Sequence, residues 1–139
     1  MAVHRHEARE MALQVLFSWE TRGKSEGRSI NDELALINAH YFQKSEEDIA
    51  FARMILLGIV THVPALREKI EQFAPEWPYE KIALMDRCIM AIGLFEILFN
   101  DEVPDVVAIN EAIELAKTFG DDASPKFING VLHAVKEHK

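Results

Sequence analysis

Apolar residues along this chain recur at spacings of three and four, and no segment alternates apolar and polar positions with turn signals on both sides. The period is that of helices with one buried face. Ala8, Ala12, Val15, Leu16 and Trp19 share one face and predict a first helix over about residues 4–22, followed by the flexible loop GKSEG. Leu34, Ile37 and Tyr41 mark a second helix over residues 30–42. Ser45 supplies an N-cap for a third, with Glu46, Glu47 and Asp48 complementing the N-terminal dipole. Its apolar positions Ile49, Ala52, Leu56, Ile59 and Val63 lead to Pro64, where a break or kink is expected. Leu66, Ile70 and Phe73 continue a short fourth helix that Pro75 and Pro78 end.

Residues 79–99 are apolar on nearly all sides. Ile82, Met85, Ile89 and Ile92 form one stripe, and Leu84, Cys88, Ala91, Phe95 and Leu98 another. A helix apolar all round is one that others surround, so this is the expected central strut. Asp86 and Arg87 are its exceptions, suited to a local ion pair or to a partner contact at the helix edge. Residues 106–135 read as two further helices, with stripes Ile109, Ala112, Ile113, Ala116 and Ile128, Val131, Leu132, Val135. Gly120 fits a left-handed C′ position, Asp121 and Asp122 a turn, Ser124 an N-cap and Pro125 a first helical position. Gly130 costs its helix about 1 kcal/mol unless something approaches closely, and a crossing neighbour is the simplest reason. Lys126 and Phe127 lie off the centre of the stripe, which leaves a half-buried ring and a surface role both open. The pattern predicts an all-α protein, a single domain of about seven helices.

Composition agrees with one domain: 139 residues, of which 49% are hydrophobic. The longest apolar segment, residues 82–99, contains Asp86, Arg87 and Glu96, which argues for a buried helix and against a membrane span. One cysteine, Cys88, and no secretory h-region point to a reducing cytoplasm. The net charge of −8 is unevenly spread. Residues 29–123 carry 7 Lys/Arg against 18 Asp/Glu, whereas residues 1–28 and 124–139 together carry 8 against 5. Such asymmetry suggests separate binding surfaces.

Catalytic chemistry finds no support. There is no glycine-rich phosphate loop and no cysteine pair at metal spacing. His4 and His6 point apart on a helix, and Cys88 sits in an apolar run that disfavours the thiolate. Neither a cofactor nor a metal is expected. Single-stranded RNA, in contrast, is held by cations on phosphates and aromatic rings on bases. Arg5 and Arg9 share a helical face with His6 nearby, and Lys126 and Phe127 open the last helix, whose free N–H groups suit an anion. If the two terminal elements lie side by side, these groups form one small basic patch with an aromatic in it.

The pairing of AINEAIELAKTFG with SPKFINGVL resembles the C-terminal signature of the bacterial transcription antitermination factor NusB family. AREMALQVLFSWE, MDRCIMAIGLFEIL and DEVP resemble other segments of the same family, and together they span nearly the whole chain. The resemblance implies a NusB-like fold of two packed helical sub-bundles and a protein without catalytic activity. It implies binding of boxA-like leader RNA through Arg5, Arg9, Lys126 and Phe127, with His6 a lesser candidate. The family often has a run of arginines where this chain has His4-Arg5-His6-Glu7, which thins the cationic segment. The implied protein partner is the basic NusE-type small-subunit ribosomal protein, through Phe17 (often tyrosine in the family), Glu80 and Asp86. The pair would act on the RNA polymerase elongation complex, in ribosomal RNA operons. Self-association as a homodimer through the RNA-facing surface is a further implication. Two other readings remain: a purely protein-binding helical module, and a NusB-like domain of the kind fused to ribosomal-RNA cytosine methyltransferases.

Overall fold

The computed structural model describes residues 5–139, so His4 lies outside the described residues. Seven α-helices account for most of the described chain: α1 (His6–Ser18), α2 (Ile30–Ile37), α3 (Glu46–Thr61), α4 (Val63–Phe73), α5 (Leu84–Phe99), α6 (Asp105–Phe119) and α7 (Ser124–Glu137). π-helical turns extend α1 and α2 over Trp19–Gly23 and Asn38–Phe42, bringing both close to their expected lengths. Ser45 caps α3 by accepting from the Asp48 N–H at 3.2 Å, and Ser29 caps α2 from the Asp32 N–H at 3.0 Å. Pro64 falls at the start of α4, and the axes of α3 and α4 differ by 77°. Among the described residues no single helix is long and apolar enough to cross a membrane.

α5 is the element the others surround. α6 and α7 pack on it and on each other to form one sub-bundle, with α4 against α5 and α7. α1, α2 and α3 form the second, joined to the first where α1 and α3 meet α5. Ile89, Met90, Ile92, Leu94 and Ile97 of α5 are fully or almost fully buried, which follows from its two apolar stripes. α1 and α5 run antiparallel: Arg9, early in α1, pairs with Glu96, late in α5, whereas Leu16 and Trp19 line a cleft with Leu84 and Cys88 at the other end.

The α6–α7 connection differs from its sequence reading in two respects. Gly120 is extended (φ −90°, ψ −171°), not left-handed. Glycine is needed there for space, because a Cβ would lie 2.5 Å from Ser124 Oγ and 2.9 Å from the Ala116 carbonyl oxygen. Nor does Ser124 cap α7. Asp121 takes that part, accepting from the Ala123 and Ser124 N–H groups at 2.9 and 3.1 Å. The Ser124 hydroxyl turns inward instead and donates to Asp86 Oδ1 at 2.7 Å.

Candidate nucleic-acid interface

The helix ends carrying the candidate residues lie at opposite ends of α5. Ser124, at the start of α7, is tied to Asp86, and Arg9, near the start of α1, is tied to Glu96. Ten residues separate these two α5 positions, about 15 Å along the helix axis. The expected convergence of both termini on one spot is therefore not what the fold builds. It builds two separate regions.

At the α1 end, the cations are already engaged. Arg9 is fully buried, and its Nε and Nη2 donate to the two Glu96 carboxylate oxygens at 2.8 Å each. The geometry is the bidentate fork of a strong, charge-assisted pair. Its guanidinium also lies 5.0 Å from the centroid of the Phe51 ring. Arg9 is thus an internal tie between the sub-bundles and not a phosphate ligand, because its buried guanidinium is held by Glu96, by Glu111 at 3.7 Å from Nη1 and by the Phe51 ring. Arg5 donates to Asp48 Oδ1 at 2.6 Å and to Glu47 Oε2 at 3.1 Å. These are first-turn carboxylates of α3, so α1 is pinned by the acidic start of another helix. His6 sits between Glu111 at 2.8 Å from Nδ1 and Glu10 at 2.9 Å from Nε2. The Glu111 hydrogen bond, reinforced by Glu10, raises the imidazole above its ordinary range and favours the imidazolium.

At the α7 end, Lys126 is exposed and Phe127 half-buried, the second of which the sequence leaves open against a surface role. Among the described residues Lys126 has no ion-pair partner. Gly130 does not receive a crossing helix: a Cβ built there would meet nothing within 4 Å. It opens instead onto a cleft lined also by Lys126 and Phe127. Two neighbours went unnoticed in the sequence, Trp77 and Lys81, which line a second cleft on the other side of Phe127. The segment PEWP read only as a helix terminator, although a tryptophan between two prolines was the signal available.

The three residues expected to face a protein partner are placed differently from one another. Phe17 is half-buried in a cleft with Tyr41, Phe42 and Phe119. Glu80 is exposed and accepts from Arg67 Nη2 at 2.9 Å. Its own backbone N–H and then Arg67 hold its carboxyl below the usual range. Asp86 is a correction: it is buried against Ser124, and burial raises its carboxyl above the usual range. It neither pairs with Arg87, which donates to the Ile82 carbonyl at 3.0 Å, nor is displayed at the helix edge. Cys88 is buried, which pushes its thiol up to about 12 and removes it as a nucleophile.

The family model described as the NusB family matches residues 6–137. The chain belongs to the NusB family. Among relatives named transcription antitermination protein NusB, that of Dehalococcoides mccartyi (strain CBDB1) is 38% identical over 99% of this chain and 92% of its own length. The Oceanobacillus iheyensis protein is 39% identical over 96% of this chain and 98% of its own length. Of solved structures, T. maritima NusB superposes with a TM-score of 0.85 at 26% identity, covering 96% of this chain and 90% of that one. NusB crystallised with NusE and dsRNA shares the fold at a TM-score of 0.81 and 21% identity, covering 100% and 99% of the two chains. The seven helices and the two sub-bundles are those of NusB.

Proposed function

We propose that this chain is a transcription antitermination factor that binds boxA-like single-stranded RNA jointly with a NusE-type small-subunit ribosomal protein. The pair then acts on elongating RNA polymerase, in ribosomal RNA operons. The observation that carries the reading is similarity over almost the whole chain to proteins named for antitermination. A solved relative is a complex of NusB with NusE and RNA. The RNA contact is assigned first to Lys126 and Phe127 at the start of α7, where charge and ring are accessible. Arg5 and His6 form a second, subsidiary contact, since each must share its charge with two carboxylates. Phe17 and Glu80 are assigned to the basic protein partner, which an acidic middle of the chain would attract.

Titration of labelled boxA RNA with the protein, alone and with NusE, tests the proposal. A clear gain in affinity from NusE is the expected result, and no gain counts against it. The pairing of Arg5, His6 and Arg9 with carboxylates at the α1 end favours a second reading, a module that binds only protein. Under that reading Lys126→Ala and Phe127→Ala leave the residual RNA affinity unchanged, whereas under the first both lower it.

A further inference from the structure

The surface beside α7 carries an exposed aromatic that neither the family signature nor the core explains. Trp77 is 57% exposed, in the turn between α4 and α5, with Pro75 and Pro78 on either side. The two prolines fix their own φ angles and restrict the residues before them, so the indole is displayed on a stiff support. The backbone N–H of Trp77 closes the turn on the Ala74 carbonyl oxygen at 3.4 Å. The other tryptophan is placed quite differently. Trp19 is half-buried, and its indole N–H donates to the Arg28 carbonyl at 2.8 Å.

Trp77 and Phe127 line one cleft of about 300 Å³ together with Lys81, Ile82, Asp86 and Asp121. On its far side Phe127 also borders the cleft of about 610 Å³ that holds Lys126 and opens at Gly130. Phe127 therefore borders both clefts, and Trp77 lines one of them with it. Lys81 and Lys126 are both exposed, and among the described residues neither has a carboxylate partner. Four acids lie close by: Asp121 and Asp86 line the same cleft but are occupied with the α7 N–H groups and with Ser124, whereas the exposed Glu76 and Asp122 line the neighbouring cleft with Lys126. An exposed indole on a stiff turn, a second ring lining the same cleft and a lysine beside them without an ion-pair partner among the described residues suit a flat base attached to a phosphate.

We infer that Trp77 is a second base-stacking platform, which with Phe127 holds a base of single-stranded RNA in the cleft between them while Lys81 contacts the adjoining phosphate. The inference rests on the RNA-binding reading above and extends its site from α7 across to the α4–α5 turn. An aromatic platform contributes about 1–3 kcal/mol per base, a roughly 5- to 150-fold change in affinity on its removal.

The test uses the full chain and a boxA-type single-stranded RNA, with binding measured by anisotropy for labelled RNA and by tryptophan emission for unlabelled RNA. Trp77→Ala is expected to weaken binding within that range without changing its salt slope, while Trp77→Phe restores most of the affinity. Lys81→Ala is expected to flatten the slope by about 0.7, the loss of one phosphate contact on a single strand. RNA is expected to quench tryptophan emission in the wild type, and Trp77→Phe to abolish that quenching, since Trp19 is anchored internally. Circular dichroism melts of each variant should overlay, because both side chains are exposed. Wild-type binding without quenching, and unchanged affinity in Trp77→Ala, overturns this inference and leaves the RNA-binding reading standing. Loss of NusE affinity in Trp77→Ala with RNA affinity intact also overturns it, assigning the ring to the protein partner. A wild type with no RNA affinity, with or without NusE, overturns both.

Discussion

At the scale of single residues, the same chemical type has opposite roles depending on what surrounds it. Arg5, Arg9 and Lys126 look alike in sequence, yet one is a surface ion pair, one a core tie and one an accessible cation. Arg9→Ala would leave Glu96 buried without its counter-charge, a change that destabilises by about 3–5 kcal/mol. Urea denaturation should show that loss, and any fall in RNA affinity of this variant reports unfolding, not a missing phosphate contact. Replacing both partners, as Arg9→Met with Glu96→Leu, should recover most of the stability. The two glycines flanking the start of α7 also diverge. Gly130→Ala should stabilise by about 0.5–1 kcal/mol and raise Tm, since it removes backbone freedom and meets nothing. Gly120→Ala should lower Tm, because its Cβ would press on Ser124 and on the Ala116 carbonyl.

At the scale of elements, helix positions follow from period, caps and prolines, all of which are local. Ser29, Ser45, Pro64 and the twin stripes of α5 were legible for that reason. The α6–α7 turn was not, because its two aspartates and one serine all satisfy the same local rules. Which of them caps α7 depends on Asp86, 38 residues away from Ser124. α1 carries a pH dependence of its own. Glu111 and Glu10 raise His6 above its unfolded value, so its contribution to stability is fully present below about pH 6.5 and is lost as pH rises through the higher folded value. The Tm difference between wild type and His6→Gln should therefore be larger at pH 5.5 than at pH 8.5. Equal differences at the two pH values would contradict the pairing.

At the scale of the whole molecule, the antiparallel packing of α1 on α5 sends the two chain ends to different places. A strand of RNA that touches both Lys126 and Arg5 must cross the length of α5 between them. Sites so separated, with no shared partner, contribute additively within about 0.5 kcal/mol. Arg5→Ala and Lys126→Ala should then lower RNA affinity independently in a double-mutant cycle measured by anisotropy. The Lys126 change should be the larger, since Arg5 already pairs with Glu47 and Asp48. A coupling well above that margin would mean that the two residues hold the same phosphate.

The sequence by itself determined the helices, the central place of α5, the family and the position of Lys126 and Phe127 off the apolar stripe of α7, because each of these is written in periods and motifs a few residues long. Only the tertiary structure decided which charges are free. A cation is available to RNA or committed to a carboxylate according to what lies across from it in space. For Arg5, Arg9 and Asp86 that neighbour comes from 38 to 87 residues away along the chain.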